Sequence, residues 1–164
     1  MTNLISAEPA ELLKEYIREN QQGFYRLAYS YTKNPDDAMD VVQEAVVKAI
    51  SNVQNLKKPE FLKTWFYRIL VNEALIFLRK AKRNIPEEDI ADSAVYEDGD
   101  VPQRVDLARA VDRLEPKIRT VIVLRFFEDM KLEEIARVTH ANLSTVKSRL
   151  YRGLQLLKIS VSEE

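Results

Sequence analysis

Apolar residues recur three and four positions apart over long stretches of the chain, the spacing of one buried helical face. The clearest run is Ala38, Val41, Val42, Ala45, Val46, Ala49, Ile50 and Val53. It follows Asn34-Pro35-Asp36-Asp37, which has the form of a helix start. Asn34 can cap, Pro35 suits the first helical position, and the two acids favour the positive end of the helix. This helix is predicted to end near Val53, with Gln54 to Lys58 as a short loop. Pro59 then opens a second helix that carries Leu62, Trp65, Phe66, Ile69, Leu70, Ala74, Phe77 and Leu78 on one stripe and runs to about Lys82. Upstream, Leu12 to Ile17 and Phe24 to Tyr31 read as two shorter helical pieces, with Gly23 a candidate break.

The stripe is lost between residues 85 and 103. Pro86 and Pro102 bracket a run of acids from Glu87 to Asp100 that repels itself and buries little, the composition of a mobile tether. Periodicity resumes near Val105. Pro116 opens a helix bearing Ile118, Val121, Ile122 and Leu124, followed by a short helix from Leu132 to Val138 and a longer one from Leu143 to Leu157. Glycine is scarce, at 3 residues, and alternating Val-Thr runs are missing. The pattern therefore predicts an all-α chain of two small helical domains, 7–84 and 104–160, joined by an acidic linker at 85–103. Such a linker is expected to leave the two domains weakly docked, and its charge could lie over basic surfaces and compete there with phosphate.

Composition narrows the possible chemistry. In 164 residues the chain has 46% apolar and 31% charged side chains, ordinary globular usage that rules against a fully disordered chain. With no cysteine, disulfides, thiol catalysis and cysteine-based zinc sites are excluded, which fits a cytoplasmic setting. Met1 to Glu8 carry no basic leader or apolar stretch, and no apolar run is long enough to insert in a membrane. The net charge of −1 hides a strong division. Residues 61–84 hold six basic side chains against Glu73 alone (+5), residues 85–116 hold three basic and ten acidic (−7), and residues 117–158 hold nine basic and four acidic (+5). Two basic blocks, each a candidate polyanion surface, flank an acidic one.

The second basic block has the layout of a helix-turn-helix from Leu132 to Leu150. Ile135 and Ala136 face inward, Asn142 is placed to cap the second helix, and Val146, Leu150, Leu154 and Leu157 form its buried stripe. Thr145, Ser148, Arg149 and Arg152 share the opposite face, where hydroxyl and guanidinium groups can read a major groove. Lys147 and Tyr151 lie one step round, within reach of phosphates. An ordinary helical hairpin with a charged outer face has the same periodicity.

In the first block Thr64, Arg68, Asn72 and Arg79 fall along one helical face. Arg68, Arg79, Lys80, Lys82 and Arg83 can hold phosphates, and Asn72 can hydrogen-bond a base edge. Trp65, Phe66 and Tyr67 can stack on unpaired bases. Trp65 and Phe66 fit the core better, while Tyr67 is less committed to the buried stripe. On the preceding helix Asp40 and Gln43 lie off the buried stripe and Glu44 beside it, an acidic-polar patch suited either to a basic partner or to solvent.

Thr145-Val146-Lys147-Ser148-Arg149-Leu150, with Leu114-Glu115-Pro116 and Val123-Leu124-Arg125 before it, resembles region four of the sigma-70 family of sigma factors. Asp37-Ala38-Met39-Asp40-Val41-Val42-Gln43-Glu44 resembles the region-two helix that grips the polymerase clamp, and Thr64 to Ala74 the melting and minus-ten segment. His140 and Ser144 stand where the family often has Gly. The resemblance runs over about residues 10 to 158 and leaves no room for the extra regions of larger sigma factors, pointing to the extracytoplasmic-function (ECF) group. It implies a non-enzymatic subunit that binds core RNA polymerase through Asp37, Asp40, Gln43 and Glu44. The minus-thirty-five element would be read by Thr145, Lys147, Ser148, Arg149, Tyr151 and Arg152. The minus-ten segment would use Thr64, Tyr67, Arg68, Asn72, Arg79, Lys80, Lys82 and Arg83, with Lys57 and Lys58 beside a pocket for a flipped base. An anti-sigma factor, often membrane-anchored, is implied as a partner, and a stress or envelope response as the setting; no cofactor, metal or small-molecule substrate is implied. A helix-turn-helix regulator acting without polymerase explains only residues 114–158, and a protein-binding helical adaptor predicts no salt-sensitive DNA binding. The sole histidine, His140, falls in a predicted turn with no ligand or nucleophile pattern around it.

Overall fold

The computed structural model describes residues 8–83 and 104–161, helices joined by short connections. The acidic stretch 85–103, and with it the exact domain limits at residues 7, 84 and 103, lies outside the described residues. Four helices form the first half: α1 (Pro9–Glu19), α2 (Gln21–Thr32), α3 (Pro35–Ser51) and α4 (Leu62–Arg83). Four more form the second: α5 (Arg104–Asp112), α6 (Pro116–Ile122), α7 (Leu132–Thr139) and α8 (Leu143–Val161). The α6 rod continues into a wider π turn, Val123–Phe127.

Local signals set the helix ends. The Asn34 side chain accepts the Asp37 N–H at 2.9 Å, closing the start of α3 as expected. Its apolar face ends earlier than predicted: Ile50 is 48% exposed, and the chain passes at Val53–Asn55 into a short 3₁₀ turn. The Pro59–Phe61 segment is a second such turn, so α4 begins at Leu62. The break between α1 and α2 falls at Asn20 rather than at Gly23, which lies inside α2. The Asn20 side-chain amide donates to the Tyr16 carbonyl at 2.8 Å, occupying an acceptor at the end of α1 and making the break without glycine.

The first core is aromatic at its centre. Phe24 and Phe66 are fully buried, with ring centroids 4.4 Å apart, and Tyr16 closes on both. Leu27, Ala45, Leu70 and Ala74 fill the space between α2, α3 and α4. The second core joins Val121, Leu124, Ile135, Val138 and Val146. There α6 and α8 approach so closely that a Cβ on Gly153 would stand 2.8 Å from the Ile122 side chain, so only glycine fits. Gly153 takes the buried place expected of Leu154: the close contact with Ile118 and Ile122 falls on Gly153, and Leu154, one residue on, is 38% exposed.

The two halves are in direct contact. Helix α7 packs along α4. Arg68 Nε donates to His140 Nε2 at 2.7 Å, Lys33 Nζ to the Asp112 carbonyl at 2.8 Å, and the Arg119 guanidinium lies 5.2 Å from the Tyr31 ring centre. These contacts join residues far apart in sequence, which helical periodicity does not report.

Phe66→Ala is expected to destabilise the first half by about 3–5 kcal/mol, the cost of a large cavity in a packed core. Urea unfolding followed through Trp65, the only tryptophan, measures it.

Candidate nucleic-acid interface

The helix-turn-helix is built by α7 and α8. Glu134 accepts the Lys131 N–H at 2.9 Å at the start of α7, and the helix ends on His140 in the left-handed conformation (φ 58°). A histidine thus takes the backbone state that glycine adopts most readily. The Asn142 side chain then accepts the Thr145 N–H at 2.8 Å, capping α8 as anticipated. With Val146 fully buried and Leu150 nearly so, Lys147, Ser148, Tyr151 and Arg152 are exposed, while Thr145 and Arg149 are half-buried. A polar helical face thus stands on a rigid apolar one.

On α4 the outward face holds Arg68, Asn72, Arg79, Lys80, Lys82 and Arg83, all exposed. Lys57 and Lys58 are exposed in the preceding connection, which the buried Leu56 anchors. On α3, Asp40, Gln43 and Glu44 are exposed and Asp37 is half-buried at the capped first turn.

Residues 16–84 match sigma-70 region 2, and residues 104–157 match sigma-70 region 4, in that order. The chain belongs to the sigma-70 family, in its ECF group. It is a sigma factor, a promoter-directing subunit of RNA polymerase and not an enzyme. It is 47% identical over 154 residues to the RNA polymerase sigma factor SigV of Bacillus subtilis, covering 93% of each chain. It is 33% identical over 155 residues to the ECF sigma factor SigE of Mycolicibacterium smegmatis, covering 88% of this chain and 59% of that one. Among solved structures, the sigma factor RpoE in complex with the anti-sigma factor NepR from Bartonella quintana shares the fold, with TM-score 0.68, 24% identity, and coverage of 90% of this chain and 96% of that one.

Two residues expected on the minus-ten face of this sigma factor are largely buried. Tyr67 is 2% exposed, packed edge-on against Phe24, and its hydroxyl donates to Glu128 Oε1 at 2.8 Å. Burial, and next the nearby Glu128 charge, push its pKa well above the usual phenol range. Thr64 is 8% exposed, at the floor of a cleft it lines with Lys57, Lys58 and Arg68. Phe66 is core, whereas Trp65 is half-buried beside the clefts between the halves.

The larger cleft, of about 650 Å³, brings together groups assigned to separate surfaces. Arg68 and Asn72 line it from α4, and His140 and Arg149 from the second half. Lys48 and Glu73 form an ion pair on its wall. Glu73 is 6% exposed, and this pairing accounts for the one acid in the basic block. Sequence reading also missed an apolar stripe on the outside of α3: Met39, Val47 and Ile50 are 48%, 58% and 48% exposed and flank Gln43. Their spacing of eight and three residues was the available signal, hidden because Ile50 also fits the inner stripe.

Asn142→Ala is expected to lower the stability of the second half by about 1 kcal/mol through loss of the cap. Chemical denaturation followed by helical circular dichroism measures the loss.

Proposed function

We propose that this sigma factor selects promoters through two helical faces and holds core polymerase through a third. The observation that carries the reading is α8: a capped helix with a buried apolar stripe and Lys147, Ser148 and Arg152 facing outward. In a major groove, Ser148 and Arg149 are placed to reach base edges, with Thr145 at the helix start. Lys147, Tyr151 and Arg152 reach phosphates. On α4, Asn72 addresses a base of the minus-ten element, and Arg68, Arg79, Lys80, Lys82 and Arg83 hold the backbone, with Lys57 and Lys58 beside a flipped base. Helix α3 offers core polymerase Asp40, Gln43 and Glu44 with the apolar stripe of Met39, Val47 and Ile50, a mixed surface typical of partner sites. Asp37 serves the helix start. The chemical step of transcription belongs to polymerase.

The finer setting follows the same reading: a cytoplasmic subunit of a stress or envelope response, restrained by an anti-sigma protein. The Bartonella relative solved with its anti-sigma factor supports that class of partner. No helix among the described residues of this chain is long and apolar enough to cross a membrane.

Arg149→Ala is expected to cost about 1–3 kcal/mol of discrimination at one minus-thirty-five position while core binding persists. Run-off transcription on promoter variants tests this, and an unchanged preference would remove Arg149 from the reading. Asp40→Lys is expected to weaken core polymerase binding with helicity unchanged. A pull-down with full retention would assign that patch to solvent alone.

A further inference from the structure

We infer that the larger cleft is a binding site for a small organic polyphosphate of the nucleotide class, an aromatic ring carrying a chain of phosphates. Its volume of about 650 Å³ falls within the range of small-molecule sites, about 300–1,000 Å³. Ile69, Leu75 and Val138 give it an apolar lining, and the half-buried Trp65 stands among them. An apolar lining with a few convergent polar groups is what a pocket for an organic ligand needs.

The charge on the walls selects the ligand. Lys48 from α3, Arg68 from α4, Lys117 from α6 and Arg149 from α8 converge on the cleft, against one carboxylate, Glu73. Glu73 is already paired with Lys48. Arg149 is half-buried and, like Lys117, has no hydrogen-bond or ion-pair partner among the described residues. A guanidinium partly withdrawn from water with no anion beside it is under-solvated, and a phosphate oxygen supplies what it lacks. Arg68 engages His140 through Nε and Nη2, which leaves Nη1 of its fork for the same ligand. Cations on three helices call for several anionic groups in a row rather than one. Lys117 has no part in the promoter or polymerase surfaces proposed above, so those surfaces do not account for its charge here. Inorganic polyphosphate would use the cations and leave Trp65 idle, whereas a nucleotide sets its ring against an aromatic partner. The site is independent of the promoter reading, because the free chain would hold this ligand without DNA.

The test titrates the full chain, without polymerase or DNA, with ATP, pyrophosphate and adenosine. Binding is followed by calorimetry and by the emission of Trp65, the only tryptophan. ATP is expected to bind about tenfold tighter than pyrophosphate, the worth of one stacked ring, and to quench Trp65. Pyrophosphate should bind without quenching. Lys117→Glu should weaken ATP binding at least about tenfold, the scale of one lost charge-assisted contact. An acid at the start of α6 also suits that helix end, so misfolding does not confound the variant, and circular dichroism checks it. Lys158→Glu makes the same change on α8 away from the cleft lining and should leave ATP affinity within about twofold. Absence of ATP binding overturns the site, as does binding of a single-stranded oligonucleotide without binding of ATP. Equal losses in Lys117→Glu and Lys158→Glu would assign the effect to general surface charge and overturn it too. Equal affinity for ATP and pyrophosphate, with Trp65 unquenched, overturns the nucleotide class.

Discussion

The structure depends on the double duty of α4. Over 22 residues this helix must bury one stripe against α2 and α3 and present another outward. The 3.6-residue period divides it: Phe66, Leu70 and Ala74 are fully buried, while Arg68 and Asn72 emerge between them. The side chains proposed to contact promoter DNA are therefore held by an aromatic core that fixes their direction. The same helix receives α7, so its outer face meets the second half of the chain.

Burial and charge reinforce this arrangement at the contact between the halves. Asp112, near Lys33 and Arg119, has its pKa raised by burial, an effect those two cations partly offset. Lys33 has its pKa lowered, first by burial and then by Arg119, with Asp112 acting in the opposite sense. Burial of the charged forms thus outweighs their attraction at that end of the contact. At the other end Tyr67 and Arg26 are aimed at one carboxylate. Polar contacts of this kind specify how two surfaces meet more than they add to the strength of the contact.

Sequence periodicity reported what is local and regular. The helices, the caps at Asn34 and Asn142, the helix-turn-helix and the outward placement of Lys147, Ser148 and Arg152 all follow from spacing and residue type within one helix. Helix pattern alone did not place Tyr67, because the carboxylate that takes its hydroxyl comes from elsewhere in the chain. Tyr67 reads as an available aromatic until Glu128, 61 residues later, takes its hydroxyl. The α3 stripe was obscured for a related reason: Ile50 satisfies the inner and the outer spacing, and only packing decides between them. The convergence of Arg68, Asn72 and Arg149 on one cleft depends on how the halves dock, which no single helix encodes.

The assignment of the two promoter faces is tested most directly by mapping DNA contacts in the holoenzyme. The chain has no cysteine, so a single cysteine introduced as Ser148→Cys or Asn72→Cys can carry a DNA-cleaving chelate at one place. The predicted result is cleavage confined to the minus-thirty-five element from position 148 and to the minus-ten element from position 72. Cleavage of the opposite element from either position, or of neither, would contradict it.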